Sequence, residues 1–114
     1  MWNHWVNIWI PRDRKVDAEL IDSAILFVDG GSNSENPPGQ DDSFVTIGRV
    51  ISSITGLMYV NIKQIPNESL VFLNDWKDSR TEDAIIALTW RHFLDFPDQP
   101  EWLVRFPMVK ACLR

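Results

Sequence analysis

The segment that best combines residue type and position for chemistry is a glycine pair, Gly30 and Gly31, directly after a short apolar run. The run at 24–28 is too short for a helix and predicts a buried strand that ends in a tight turn. Ligands of open α/β sheets bind just beyond the carboxyl ends of such strands. Two glycines there would let the backbone approach a bound group closely and present its N–H donors.

Two interpretations of Gly30, Gly31, Ser32 and Asn33 are open. In the first, the backbone N–H groups form an oxyanion-type site for a developing negative charge. In the second, the glycines only satisfy a turn that needs positive φ. The residue types by themselves favour the turn. Ser32 is also a weak candidate for a nucleophile, because no histidine stands at an offset typical of a catalytic serine.

The two histidines of the chain, His4 and His92, are better explained by packing or helix capping than by catalysis. His4 is flanked by tryptophans in a predicted strand, and His92 lies late in a predicted helix, where a positive charge suits the helix dipole. The chain has no G-x-S-x-G nucleophile elbow, no glycine-rich phosphate motif and no His/Cys spacing typical of zinc. We therefore predict no catalytic residue, no metal site and no cofactor in this sequence.

Three other patterns carry weaker functional interpretations. Glu82 and Asp83 suit the first turn of a helix, where the dipole favours acids, better than they suit a pair for acid–base catalysis. Asn67 begins an N-x-S glycosylation motif, which has meaning only in a protein secreted from a eukaryotic cell. Three tryptophans could form a binding face, although packing in a core or against another part of the fold explains them better: Trp2, Trp5 and Trp9.

Length and charge limit the class of protein. A chain of 114 residues corresponds to one domain or to part of one. Its net charge of −5 disfavours nucleic acid as the main partner, since phosphate contacts need clustered Lys and Arg. The single cysteine, Cys112, excludes an intrachain disulfide. No secretory signal is visible and no apolar run approaches the roughly 20 residues of a membrane helix, so membrane insertion is not expected.

Hydrophobic periodicity and turn residues predict the elements that position the glycine pair. We expect strands at 2–10, 23–29 and 57–62, a helix at 43–55, and an exposed polar loop at 30–42. The strand–helix–strand order predicts a right-handed crossover and a parallel strand pair. The first two strands are joined by a short polar turn and could pair antiparallel.

The helix at 43–55 has clear boundary signals. Asp41 or Asp42 can cap its first turn, and Gly56 suits the position after its last turn. The apolar stripe that should face the sheet recurs at spacings of three and four, which is typical of one helix face. Its members are Phe44, Ile47, Ile51 and Ile54.

Two more helices are predicted in the C-terminal half. Ser79 and Glu82 fit a capping box, which starts the second helix near Ser79 and lets it run until just before Pro97. Pro107 is placed to open a third helix at 108–114. The chain would then end inside this helix, as expected of an incomplete domain.

Four segments, taken in order, resemble the PhoPQ-activated pathogenicity-related family, which includes the autocrine proliferation repressor proteins of social amoebae. The segments are 26–33, 64–67 and 80–90, followed by Trp102 with 107–111. None is specific alone, but the four occur in register and cover nearly the whole chain. The last three residues depart from the family's usual continuation.

The resemblance implies an α/β-hydrolase-like fold, here a partial three-layer arrangement with a mostly parallel sheet of about three or four strands and two or three helices. In that fold a strand, an oxyanion-type loop, a helix, a strand and a helix precede the strand and elbow that carry the nucleophilic serine. Serine, acid and histidine would then lie beyond Arg114, and only Gly30–Asn33 carries over, as a candidate oxyanion contributor. The whole chain would form a single domain, the N-terminal part of a longer one.

Three functional hypotheses follow. The first is an N-terminal fragment without hydrolase activity of its own, whose partner is the missing C-terminal part of the domain. The second is a secreted signalling or binding module that contacts an unknown protein partner through the loop at 30–42 and the tryptophan-rich strand. The third is an orphan α/β domain that completes itself by dimerisation. Members of the family are mostly exported, which implies an extracellular or periplasmic location.

Overall fold

The structure is a computed structural model that describes residues 2–33, 36–73, 75–76 and 79–113. The backbone divides into two compact units, each considered by itself. The sheet unit comprises His4–Asp29 and Ser34–Lys63, and the helical unit comprises Met1–Asn3, Gly30–Asn33 and Gln64–Arg114. In chain order the strands and α-helices are β1 (Val6–Trp9), β2 (Ala24–Val28), α1 (Ser43–Thr55), β3 (Met58–Ile62), α2 (Glu82–Asp95) and α3 (Arg105–Cys112). Short 3₁₀ helices occupy Ala18–Leu20 and Pro100–Trp102.

The sheet has β3 in the middle, in the order β1-β3-β2. β2 pairs parallel with β3, with Leu26 opposite Val60, which confirms the predicted parallel pair across α1. β1 pairs antiparallel with β3, with Ile8 opposite Val60. The suggested antiparallel pairing of β1 with β2 is therefore wrong, because the crossover through α1 places β3 between them. The sheet is mixed rather than mostly parallel, and β1 begins at Val6 rather than at residue 2.

The boundaries of α1 are those predicted from its capping residues. Asp42 Oδ1 accepts hydrogen bonds from the backbone N–H groups of Phe44, at 2.9 Å, and Val45, at 3.3 Å. Gly56 takes the left-handed conformation with φ +70°, and its N–H donates to the carbonyl of Ser52. Local chemistry therefore fixes both ends of this helix.

The face of α1 that meets the sheet includes only part of the predicted stripe, since Phe44 stacks on Phe27 of β2 but two other members do not face the sheet. Ile47 and Ile54 are exposed. A Cβ on Gly48 would lie 2.8 Å from ring carbons of Tyr59, so the helix lies so close to the sheet that only a glycine fits at this point. The buried residues of α1 are small: Val45, Gly48 and Ser52.

The core of the sheet unit is built around Tyr59, which is 1% exposed. The Tyr59 ring contacts Trp9 edge-on at 5.6 Å between centroids and stacks with Phe27 at 6.4 Å. Phe27 also stacks with Phe44 of α1 at 5.1 Å. Core packing thus explains Trp9, as the sequence favoured.

The start of α2 differs from the predicted capping box. The helix begins at Glu82, with Thr81 as N-cap and no hydrogen bond from the Thr81 side chain. Glu82 is therefore the first helical residue and cannot act as the third. Instead, Oε2 of Glu68 accepts the backbone N–H of Glu82 at 2.6 Å, so a carboxylate from the preceding loop caps the helix.

The C-terminal helix also starts earlier than predicted. α3 begins at Arg105, so Pro107 lies within its first turn instead of opening it. Arg114, the last residue of the predicted helix, lies outside the described residues. The buried residues of this region include Leu103 and Val104, and the Val104 N–H lies 3.5 Å from Oγ1 of Thr89 in α2. No helix in the described part of the chain is both long and apolar enough for a bilayer crossing.

Candidate functional site

The glycine segment Gly30–Asn33 is held by hydrogen bonds to the chain that follows β3. The carbonyl of Gly30 accepts the backbone N–H of Gln64 at 3.1 Å, and the carbonyl of Ser32 accepts Nε2 of Gln64 at 3.1 Å. The N–H of Asn33 donates to the carbonyl of Glu68 at 2.7 Å. Since Glu68 also caps α2 through its side chain, one buried residue ties the glycine segment to that helix.

The backbone requires a glycine at only one of the two glycine positions in the segment. Gly31 has φ +105°, a conformation that other residues rarely adopt, so the turn needs glycine at this position. A Cβ on Gly30 would meet no atom within 4 Å. Within the described residues, the N–H groups of Gly31 and Ser32 take no part in the hydrogen bonds that hold the segment. Both residues are exposed, so their N–H groups are the donors that an anion could use.

Three charged side chains of the sheet unit form an ion cluster where β2 and β3 end. Asp29 directly follows β2, Lys63 directly follows β3, and Asp42 caps α1. Nζ of Lys63 lies 2.6 Å from Oδ2 of Asp42 and 3.1 Å from Oδ2 of Asp29. The contact with Asp29 is an ion pair, and this buried oxygen has no hydrogen-bond partner among the described residues.

The electrostatics of the ion cluster favour the charged forms of Lys63 and Asp42. Burial lowers the pKa of Lys63, but its contacts with Asp42 and Asp29 outweigh burial and raise that pKa above 10.5. The hydrogen bond from Lys63, together with the helix N–H donors, lowers the pKa of Asp42 below 3.8. Burial and then the charge of Asp29 raise the pKa of Tyr59 above 10.0. The ion cluster therefore connects the ends of β2 and β3 to the first turn of α1 through charged side chains.

Sequence reasoning did not single out Lys63. The signal was available, because the carboxyl ends of parallel strands meet at one edge of a sheet. Asp29 and Lys63 are the residues that come directly after the two parallel strands. An acid and a base at equivalent strand ends predict an ion pair.

The other predicted residues lie in structural roles. Nδ1 of His4 is 3.1 Å from the carbonyl of Lys63. The His92 ring stacks on Trp102 at 3.9 Å between centroids, and Nε2 of His92 lies 3.1 Å from Oε1 of Gln99. Asn67 is 9% exposed, and Nδ2, the atom that a glycan would modify, donates to the carbonyl of Asn3 at 2.8 Å.

The remaining expectations concern acids and metals. Glu82 and Asp83 lie in the first turn of α2, where the helix dipole stabilises negative charge. Among the described residues, no group of three or more His, Cys, Asp or Glu side chains is arranged to hold a metal ion.

Comparison with known proteins gives two matches. The sequence profile of the family described as PhoPQ-activated pathogenicity-related protein matches residues 1–114. Autocrine proliferation repressor protein A of Dictyostelium discoideum is 36% identical over 115 residues, which cover 100% of this chain and 22% of that protein. The chain therefore spans less than a quarter of that relative's length. No solved structure matches the chain. The two matches confirm the resemblance carried by the four sequence segments.

Proposed function

Because the chain belongs to the PhoPQ-activated pathogenicity-related protein family, we propose that it is the N-terminal part of a longer α/β-hydrolase-like domain and has no hydrolase activity by itself. The order of elements supports this proposal. β2, the glycine segment, α1, β3 and α2 follow one another as the family resemblance predicts. The nucleophilic serine, its histidine and its acid would come from other parts of the longer protein.

The observation that carries the proposal is an apolar face of the sheet whose residues on the two edge strands are exposed, while Ile62 of the central strand is 8% exposed. Tyr59 points toward α1, so the alternate residues of β3 and their registered neighbours share the opposite face. We call four of these neighbours the open face, and their side chains are substantially exposed: Val6 51%, Ile8 57%, Leu26 50% and Val28 42%. Sheets with parallel strands in α/β folds are covered on both faces. The open face is the surface expected of a sheet whose second helical layer is supplied by further chain.

Within such a domain the glycine segment would form half of an oxyanion site. The N–H groups of Gly31 and Ser32 would donate to the oxygen that becomes negative during ester or amide cleavage. The other N–H donors of the oxyanion site would lie next to the nucleophilic serine, which is expected outside this chain. Ser32 itself is a loop residue in this arrangement, not the nucleophile. An extracellular or periplasmic location fits the family's mostly exported members.

An ester hydrolysis assay tests the proposal. The purified chain, mixed with p-nitrophenyl acetate, should release p-nitrophenol no faster than buffer with an equal amount of an inert protein. A burst proportional to chain concentration that disappears in Ser32→Ala would overturn the proposal. Ser53→Ala, at an exposed position on α1, is the matched control for removal of a hydroxyl group.

A second candidate function is a secreted signalling module. The name of the Dictyostelium relative describes it as an autocrine proliferation repressor. The described part of the polar loop, 30–33 and 36–42, is mostly exposed and available to a partner. If this candidate holds, the purified chain added to growing Dictyostelium cells slows their proliferation. An unchanged growth rate across the concentrations tested would contradict it.

A further inference from the structure

Gln64 is a buried residue with a backbone conformation that glycine adopts far more readily than glutamine. Its φ is +67°, and the residue is 5% exposed. The left-handed region is unfavourable for a residue with a side chain, because Cβ then crowds the following carbonyl oxygen. Among the described residues, one other non-glycine residue has a positive φ, Glu82 at +44°.

Both of these residues are bonded to the glycine segment or to the residue that holds it. Gln64 donates to the segment through its backbone N–H, to the carbonyl of Gly30, and through Nε2, to the carbonyl of Ser32, each at 3.1 Å. The N–H of Glu82 is accepted by Glu68, whose own carbonyl accepts an N–H of the segment. Strained backbone clusters where the surrounding structure holds a functional group in place.

The planarity of the peptide bond converts the contacts of Gln64 into a direction for the exposed N–H groups. In a trans peptide unit the N–H points opposite to the C=O. The Gly30 carbonyl faces the N–H of Gln64, so the N–H of Gly31, in the same peptide unit, points away from Gln64. The Ser32 carbonyl faces Nε2 of Gln64, which fixes the peptide unit that follows Ser32. The N–H of Ser32 therefore lies between two peptide units that Gln64 holds.

We propose that Gln64 is a positioning residue for an oxyanion site formed by the N–H groups of Gly31 and Ser32. This role rests on the proposed function, in which the glycine segment stabilises a developing negative charge. Donors that are already oriented stabilise such a charge most effectively, because they need not rearrange when it forms. Gln64 orients these donors with its two hydrogen bonds and retains an unfavourable φ in doing so.

An NMR titration with inorganic phosphate tests this role, since the tetrahedral phosphate ion is a stable substitute for a tetrahedral oxyanion. In the full chain at constant ionic strength, the amide signals of Gly31 and Ser32 should shift in a saturable way. The amide signal of Gly39, an exposed glycine outside the segment, should not shift. Gln64→Met keeps a long side chain but removes the Nε2 donor, and it should weaken phosphate binding by about fivefold or more.

Asn67→Leu is the matched control. Asn67 is another buried amide of the helical unit, 9% exposed, and its Nδ2 donates to the carbonyl of Asn3 at 2.8 Å. Loss of that hydrogen bond should lower the urea midpoint about as much as Gln64→Met does, but it should leave the phosphate affinity unchanged. A merely structural role for Gln64 predicts an unchanged phosphate affinity in both folded variants.

Two results would overturn the proposal in different ways. Wild-type phosphate affinity in Gln64→Met would show that Gln64 does not position the donors, and it would leave the proposed function in place. An absence of saturable shifts in the wild type would contradict the oxyanion donors themselves, and with them the proposed role of the glycine segment.

If Gln64→Met does not fold, Gln64→Gly replaces it. Glycine adopts the positive φ without strain and lacks the side-chain donor. Phosphate binding should weaken in Gln64→Gly as well, and retained affinity in this folded variant would equally contradict the role of Gln64.

Discussion

The two faces of the sheet differ in polarity and exposure, and the more polar face is the one that is buried. The face under α1 is closed and yet holds polar groups: Asn61 is 0% exposed, with its Nδ2 3.4 Å from the carbonyl of Phe27, and Tyr59 Oη is buried without a hydrogen-bond partner among the described residues. The open face is wholly aliphatic and yet exposed. Aliphatic side chains gain the most from burial, at about 25 cal/mol per Å² removed from water.

The proposed function explains this difference by further chain that covers the open face in a longer domain. In an antiparallel sheet with one solvated face, the strand residues on that face are polar. The residues of the open face are aliphatic instead. The closed face is complete because α1 approaches closely through Gly48. Equivalent substitutions on the two faces should therefore lower the free energy of unfolding by very different amounts.

The largest effect is expected at the closed face, from Gly48→Val. The new side chain would collide with the rings of Tyr59 and Trp9, which lie 2.8 and 3.0 Å from an added Cβ. We expect a loss of about 3 kcal/mol in the free energy of unfolding. Urea unfolding measures it, with Ser53→Val at an exposed position of α1 as the control. A loss below about 1 kcal/mol in Gly48→Val would show that α1 does not approach the sheet this closely.

The next largest effect is expected at the ion cluster. Lys63→Met leaves the carboxylates of Asp29 and Asp42 facing each other at side-chain exposures of 13% and 23%. We expect a loss of about 2 kcal/mol, less than for a fully buried pair. The double variant Lys63→Met with Asp29→Asn should recover part of this loss, because it removes one of the two charges. If the double variant is as unstable as the single one, the charges are not the cause.

A smaller effect is expected in the pH dependence of stability. Asp42 has a lowered pKa because its carboxylate is bound by Lys63, so the unfolded chain takes up this proton more readily than the folded chain. The stabilisation is complete above pH 3.8 and is lost as the pH falls through the lower pKa of the folded state. Asp42→Asn keeps the cap acceptor, costs about 1 kcal/mol at pH 7 and flattens the loss of stability in acid.

Urea midpoints at pH 7 and pH 3 measure this slope. Asp41→Asn, at the exposed neighbouring position, is the matched control. The assignment to Asp42 is contradicted if Asp42→Asn and the wild type lose equal stability between the two pH values.

The smallest effect is expected on the open face. Ile8→Thr and Leu26→Thr remove apolar surface from positions that are already 57% and 50% exposed. Each should cost less than about 0.5 kcal/mol in the chain alone. The matched substitution on the closed side, Val45→Thr at 5% exposure, should cost about 1–2 kcal/mol, because its hydroxyl group would be buried. Equal costs at the three positions would mean that the two faces do not differ.

The features that could be predicted from sequence are those determined by residues a few positions away in the chain. The ends of α1 follow from Asp42 and Gly56, which act within a few residues, and they agree with the prediction. The start of α2 does not, because its cap is the carboxylate of Glu68, 14 residues before the N–H that it accepts. No local pattern around Ser79 contains that information.

The position of β1 in the sheet could not be predicted for a related reason. The pairing of β1 with β3 rather than β2 joins segments about 50 residues apart, and both choices satisfy the alternation of β1 equally well. The face of α1 was partly misassigned because Ile47 and Ile54 are more hydrophobic than Gly48 and Ser52, although close packing favours the small residues. At the candidate site, the glycine turn is predictable from sequence, and so is the ion pair of Lys63 with Asp29, since these residues follow two strands whose parallel pairing was predicted.

A chimera with the longer relative tests whether further chain buries the open face in the complete domain. This chain replaces the matching 115-residue segment of the Dictyostelium relative, and Ile8→Thr with Leu26→Thr is introduced into both the chimera and the chain alone. We expect the double substitution to destabilise the chimera by about 3 kcal/mol or more in thermal or urea unfolding, and the chain alone by less than about 1 kcal/mol. An equally small loss in the chimera would show that the open face stays exposed in the longer protein and would contradict the proposal.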